Sequence, residues 1–259
     1  MIQMLFIRFR HLKNRIWAKS KAILYEKTHD AFGATVKYMF FGKQDNETLV
    51  VSFPACAPNA ARYNYAGALS PYRCDKLFLL DDFGANHQGC YLVEDSVEKN
   101  VLSLIVNYTE KSGKQYNHIY FIGSSKGGYS ALNFSFLVPN AIPIIGAPQY
   151  FLGNFLSKPN LSANLKFIIG EDITEEKIES LNNRLRCRIL NSCIQPEEVF
   201  IHYSNQEPTF NKHIKYMLED LHKAGVSLKE DVAAYKTHDE LGDQYSLYLK
   251  HTLDTLLKS

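Results

Sequence analysis

Ser125 stands in Gly123-Ser124-Ser125-Lys126-Gly127, within the stretch IYFIGSSKGGYSAL at 119–132. A serine with glycines two residues before and two after it has the G-x-S-x-G spacing of a nucleophile on a sharp strand-to-helix turn. The chemistry needs those residue types. The turn holds the serine in a strained backbone conformation, and a Cβ at either flanking position would collide with the elements around it. The helix that follows points free N–H groups at whatever negative charge develops. A phosphate-cradling loop is the rival reading, but the G-x-x-x-x-G-K-[ST] order is absent because Lys126 precedes Gly127 and Gly128.

A serine hydroxyl attacks only when a base takes its proton, so an acid and a histidine should follow in the order Ser, acid, His. Nine histidines compete. His202 falls in an expected strand, and His213, His222 and His251 fall in expected helices. His118 opens the strand that leads to Ser125, while His11 and His29 belong to the N-terminal stretch. His238, in YKTHDELGD, sits just past the last expected strand and before a helix, where such a base belongs. The acid should follow the preceding strand, VFIHY, and Glu207 is the carboxylate in the loop there. Asp239 and Glu240 are nearer in sequence, but neighbours of a histidine rarely reach its far ring nitrogen.

Two N–H groups must face the oxyanion. Lys126, the residue after the nucleophile, supplies one. The other is expected from SFPACAP, the loop after a strand at 48–53. Pro54 has no N–H, which makes Phe53 the leading donor and Ala55 the next. His87, Arg62 and Gln149 are candidates to line the substrate site. The side chains of Lys126, Arg62 and Lys158 are candidates to meet an anionic substrate.

The elements that must position these residues alternate short β-type runs with helical segments after Gly33. That pattern indicates a mainly parallel sheet with helices on both faces. Strands are expected at Thr35–Phe41, Thr48–Phe53, Lys76–Leu80, His118–Ile122, Ile142–Ile145, Val199–Tyr203 and Asp231–Tyr235. Helices are expected at Ser96–Lys111, at Lys212–Ala224 ending on Gly225, and at about Asp243–Leu257. The region of about 150–195 fits poorly. It reads as a lid-like insertion over the carboxyl edge of the sheet or, alternatively, as one more βα unit with a long loop.

A chain of 259 residues with 46% hydrophobic and 22% charged residues suits one catalytic domain, taken as 31–259. The net charge of +2 gives no global field for nucleic acid. Residues 1–30 are set apart as a basic amphipathic extension, with seven Lys and Arg against Glu26 and Asp30. Two readings of it stand: a helix packed on its own domain, or one lying on an anionic membrane surface or a partner. The five cysteines fit no metal or redox spacing, so no metal site is expected and a reducing, cytoplasmic compartment is.

With these residues aligned, the sequence resembles the bacterial capsular polysaccharide O-acetyltransferases of the α/β-hydrolase fold. More distantly it is similar to the accessory-secretion acetyltransferase that modifies serine-rich adhesins. The segments that carry the resemblance are VVSFPACAPNAARYNY, IYFIGSSKGGYSAL, IIGAPQYFLGNFL, IHYSNQEPTF and AYKTHDELGDQYSLYLKHTL, spanning roughly 48 to 256. The resemblance implies Ser125 as nucleophile and His238 as base. Its acid position falls on Glu207, where the family more often has aspartate. It also implies acetyl-CoA as donor with no permanently bound cofactor, and a capsular or other cell-surface polysaccharide as acceptor. Residues 1–30 fall outside the resemblance; their basic amphipathic face is what adds, to the expected cytoplasmic location, a peripheral one through contact of 1–30 with the inner membrane or a capsule-assembly complex. The alternatives are a carbohydrate esterase or deacetylase, with water as acceptor, and a non-catalytic capsule-assembly module.

Overall fold

The computed structural model describes residues 20–43, 46–56, 61–111 and 113–257. Most of the basic amphipathic stretch expected at 1–30 therefore lies outside the described residues. An eight-stranded sheet has the order β1-β2-β4-β3-β5-β6-β7-β8. Its strands are β1 (Glu26–Ala31), β2 (Ala34–Phe41), β3 (Thr48–Ser52), β4 (Asp75–Leu79), β5 (His118–Ser124), β6 (Ala141–Gly146), β7 (Glu198–Ser204) and β8 (Ser227–Ala233). Every pair from β4 across to β8 is parallel, and β2 alone runs against the others. At the centre, β5 buries six successive residues from Ile119 to Ser124. Such a continuous run marks a strand covered on both faces.

Two edge elements differ from expectation. β1 is an additional strand, and residues 26–30 of it come from the stretch assigned to the extension. Its sequence, EKTHDA, shows no apolar alternation because both of its faces are largely exposed. Backbone pairing to β2 holds it instead. The two-residue turn Phe32-Gly33 has positive φ at both positions, 53° and 80°, as a tight hairpin requires. The Asn100 side chain donates to the carbonyls of His29, Ala31 and Ala34 and fastens this hairpin to the helix Asp95–Val106. At the opposite edge, β8 begins four residues before the expected strand, in the polar run SLKEDVA.

The flanking helices are α1 (Asp95–Val106), α2 (Lys126–Ser135), α3 (Leu152–Leu156), α4 (Ser162–Ile169), α5 (Glu175–Asn191), α6 (Lys215–Lys223) and α7 (Leu241–Leu257). Helices α3, α4 and α5 make up the insertion between β6 and β7. The long helix α5 behaves as an ordinary facing helix. Its Arg184 and Arg188 bind Glu98 on α1, and Arg188 also donates to Asn133 on α2. The short helix α4 borders the carboxyl edge of the sheet, with Phe167 against Phe83 and Asn164 Nδ2 3.4 Å from Gln88 Oε1. Both contacts are made to the loop that leaves β4.

Candidate active site

Ser125 sits between the end of β5 and the start of α2 with φ 52° and ψ −119°. A non-glycine residue at positive φ costs on the order of 1–3 kcal/mol, and surrounding contacts must hold it there. They do. The Ser125 N–H donates to the Gly146 carbonyl at 2.7 Å. A Cβ on Gly127 would lie 2.5 Å from the Phe53 carbonyl oxygen, and one on Gly123 would overlap the backbone of Gly127. The two motif glycines are there because backbone passes where a side chain would stand. All ten residues of α2 are buried, so the turn rests on a packed base.

His238 lies in the turn between β8 and α7. Thr237 and Glu240 form a capping box around it, in which the Glu240 carboxylate accepts from the N–H groups of Lys236 and Thr237 and from the Thr237 hydroxyl. Farther along α7, Tyr245 accepts from the Gly123 N–H at 3.0 Å and donates to the Ile144 carbonyl at 2.5 Å. The helix after the histidine is therefore anchored on the strand before the serine. The result is a distance of 2.9 Å between His238 Nε2 and Ser125 Oγ.

Glu207 occupies the loop after β7. The Ser204 hydroxyl donates to the Tyr235 carbonyl at 2.5 Å, which ties that loop to the chain leading to His238. Glu207 Oε2 is 3.2 Å from His238 Nδ1. The glutamate is 1% exposed, and its other oxygen has no partner among the described residues. A desolvated carboxylate with one neighbour acts strongly on it. With the ring proton on Nδ1, His238 donates to Glu207 and leaves Nε2 to accept from Ser125.

The expected second oxyanion donor is corrected by the backbone. The Phe53 N–H donates to the Ile122 carbonyl at 2.9 Å, extending the β3–β5 ladder one residue past Ser52. The Ala55 N–H donates to Asn64 Oδ1 at 3.1 Å. Both N–H groups are therefore already bonded. Gln149 does reach Ser125: its Nε2 donates to Ser125 Oγ at 3.0 Å and lies 3.4 Å from His238 Nε2. Gln149 is 2% exposed. Tyr91 OH donates to its Oε1 at 3.3 Å, which sets the amide with its NH2 towards the serine. The Lys126 N–H opens α2, so it has no carbonyl one turn behind it.

The other sequence candidates separate. The Lys126 side chain does not reach out to substrate. Its Nζ is buried 2.7 Å from Asp81 Oδ2 and 3.2 Å from the Gln88 carbonyl. His87 is exposed on the loop after β4 with its ring on the Asp82 carbonyl, and Arg62 is half-buried after β3. Neither is hydrogen-bonded to Ser125 or His238. Lys158 lines a cleft of about 280 Å³ that His238 also lines. Among the described residues, no group of three His, Cys, Asp or Glu side chains is placed to hold a metal ion.

No protein-family model matches the chain, and no curated protein matches it. Solved structures do. The capsule O-acetyltransferase of Neisseria meningitidis serogroup A has a TM-score of 0.71 at 17% identity, over 89% of this chain and 98% of that one. The Gap123 complex of Streptococcus agalactiae also reaches 0.71, at 16% identity over 89% of this chain and 47% of that one. FphF, a fluorophosphonate-binding serine hydrolase of Staphylococcus aureus, reaches 0.64 at 10% identity, over 90% and 97%. The fold is that of the α/β-hydrolases. Among the described residues, no helix is long and apolar enough to cross a membrane.

Proposed function

We propose that the protein is a serine-dependent O-acetyltransferase that moves acetyl from acetyl-CoA to a hydroxyl of a cell-surface polysaccharide. The observation that carries this reading is the hydrogen-bonded chain Ser125–His238–Glu207 on a strained elbow. Ser125 Oγ attacks the thioester carbonyl while His238 Nε2 takes its proton, and Glu207 stabilises the imidazolium. The oxyanion is held by the Lys126 N–H and by Gln149 Nε2, the side-chain donor replacing the expected Phe53 amide. The C–S bond breaks, and the thiolate leaves with the proton from His238. A sugar hydroxyl then gives its proton to His238 and attacks the acetyl-serine; the bond between Ser125 Oγ and the acetyl carbon breaks, and Oγ takes the proton back from His238. Acetyl-CoA as donor is supported by the similar fold of a mutant meningococcal capsule O-acetyltransferase whose structure holds CoA, with a TM-score of 0.70 at 18% identity.

One observation favours a second reading, hydrolysis. The His238 side chain is 35% exposed, so water has access to the base. Intact-mass analysis tests the shared first step. After mixing with acetyl-CoA the protein should gain about 42 Da, one acetyl group on the nucleophile, and Ser125→Ala should gain nothing. Partition of that acetyl between a polysaccharide and water separates transferase from hydrolase. Absence of the adduct in both wild type and a His238→Ala variant, with no acceptor acetylated, would overturn the reading.

A further inference from the structure

Beside the serine, His238 forms one wall of a cleft of about 280 Å³. Ligand pockets for whole small molecules run to about 300–1,000 Å³, so this space holds a fragment of a substrate rather than all of it. What that fragment is can be read from the walls. Lys158 comes from the chain after α3, Lys212 from the turn before α6, and Lys236 from the segment between β8 and His238. Three segments remote in sequence thus bring a lysine to one cleft, and no acidic residue lines it.

None of the three charges is tied up in an ion pair among the described residues, whereas those of Lys37, Lys114, Lys126, Lys166, Lys177, Lys223 and Lys229 all are. The nearest acids are engaged elsewhere. Glu207 faces His238 Nδ1, and Glu240 is held by the backbone of Lys236 and Thr237 and by the Thr237 hydroxyl; the Lys236 charge also acts on Glu240, without forming an ion pair with it. Lys158 Nζ lies 4.3 Å from the centroid of the Phe155 ring, which supports the ammonium without neutralising it.

The back wall registers the same field. His213 lines the cleft, and its Nδ1 accepts from the Phe151 N–H at 3.2 Å. Burial, and then the charges of Lys158 and Lys212, lower its pKa to about 4. A larger surface groove of about 820 Å³ lies between α5 and neighbouring helices, but its Arg184 and Arg188 are already bound to Glu98. The smaller cleft is the one with free positive charge.

We propose that the Lys158–Lys212–Lys236 cleft is an anion subsite that takes the phosphate-bearing part of a substrate of the Ser125–His238 centre. Lysine suits phosphate as a point charge with three donors and no fixed plane, and three such groups match a pyrophosphate or a phosphodiester. As a statement about this centre's substrates it rests on the function proposed above. Binding of the anion itself does not. Two sources share the chemistry: the phosphates of a nucleotide-bearing acyl carrier, and an acceptor with phosphodiester links.

Calorimetric titration of the full chain separates them, using inorganic pyrophosphate, CoA, phosphate-free pantetheine and a methyl glucosyl phosphodiester. Pyrophosphate should bind wild type and should bind Lys158→Gln/Lys212→Gln/Lys236→Gln about tenfold to a hundredfold more weakly, as for two or three lost charge-assisted contacts. A control carrying Lys99→Gln and Lys250→Gln should bind as wild type does. CoA binding with pantetheine silent assigns the subsite to the donor, and phosphodiester binding with CoA silent assigns it to the acceptor. Pyrophosphate binding unchanged in the triple variant, or no binding of any of the three phosphate probes to wild type, overturns the proposal. Failure of Ser125 to acetylate would sink the acyl-transfer reading and leave the titration standing.

Discussion

Lys126 Nζ lies 2.7 Å from Asp81 Oδ2, and the two side chains are only 3% and 1% exposed. The residue that follows the nucleophile therefore turns its charge inward, onto the loop that leaves β4. Asp81 also accepts from the Cys90 N–H through both oxygens, at 2.9 and 3.1 Å. One buried pair thus joins the nucleophile turn to the segment that carries Tyr91, and Tyr91 orients Gln149.

Removing one member of that pair leaves the other buried without its counter-charge. Asp81→Ala is expected to destabilise the fold by about 3–5 kcal/mol. Replacing both residues by apolar side chains should cost clearly less than the sum of the two single changes. Urea unfolding of the two single variants and the double variant measures this. Additive losses would mean that the two groups do not act as a pair.

Gln149→Ala should lower kcat by about 10² to 10³, the usual loss for one oxyanion donor, with little change in KM. Tyr91→Phe should do less, since it frees the amide to turn without removing it. Steady-state kinetics on acetyl-CoA or a neutral acetyl ester decides the point. If KM rises and kcat holds, Gln149 binds ground-state substrate and is no oxyanion donor.

The parts of this site that were legible in sequence are those fixed by order and position. Ser125 follows from its glycines. His238 and Glu207 follow from lying just beyond the last two strands, because a parallel sheet delivers all its strand ends to one edge. The second oxyanion donor was not legible. Whether the Phe53 N–H is free depends on how far the β3–β5 ladder runs, and register is not written in residue types. The orientation of Gln149 depends on Tyr91, 58 residues away. Lys126 gives no sequence sign of being buried, since its partner Asp81 is 45 positions distant. β1 escaped because a polar edge strand lacks the alternation by which strands are recognised, although the Phe32-Gly33 turn was a usable signal.

His213 should make the fold acid-sensitive. Its pKa is about 4 in the folded protein, against 6.5 for an ordinary histidine. The folded state resists protonation, so its full contribution to stability is present above pH 6.5 and is lost as pH falls towards 4. The loss approaches about 3 kcal/mol by linkage. Denaturant unfolding from pH 7 to pH 4 should show the decline, and His213→Leu should flatten that part of the slope even if it lowers stability at pH 7. An unchanged slope in the variant would place the acid sensitivity on other groups.

Glu207→Gln should move activity and stability apart. The amide keeps the shape of the side chain but can present an N–H to His238 Nδ1. The ring then favours a proton on Nε2, which donates to Ser125 Oγ where it should accept. A fall in kcat of about 10³ to 10⁴ follows from the wrong tautomer. The fold has little to lose. The glutamate is 1% exposed, its single polar contact is 3.2 Å long, and Oε1 has no partner among the described residues. Replacing a poorly compensated buried charge by a neutral amide should leave stability unchanged or raise it by about 1 kcal/mol. Thermal unfolding and turnover measured on the same preparation check both halves. If activity and stability fell together, the carboxylate would be a structural group and the role of acid would pass to another residue.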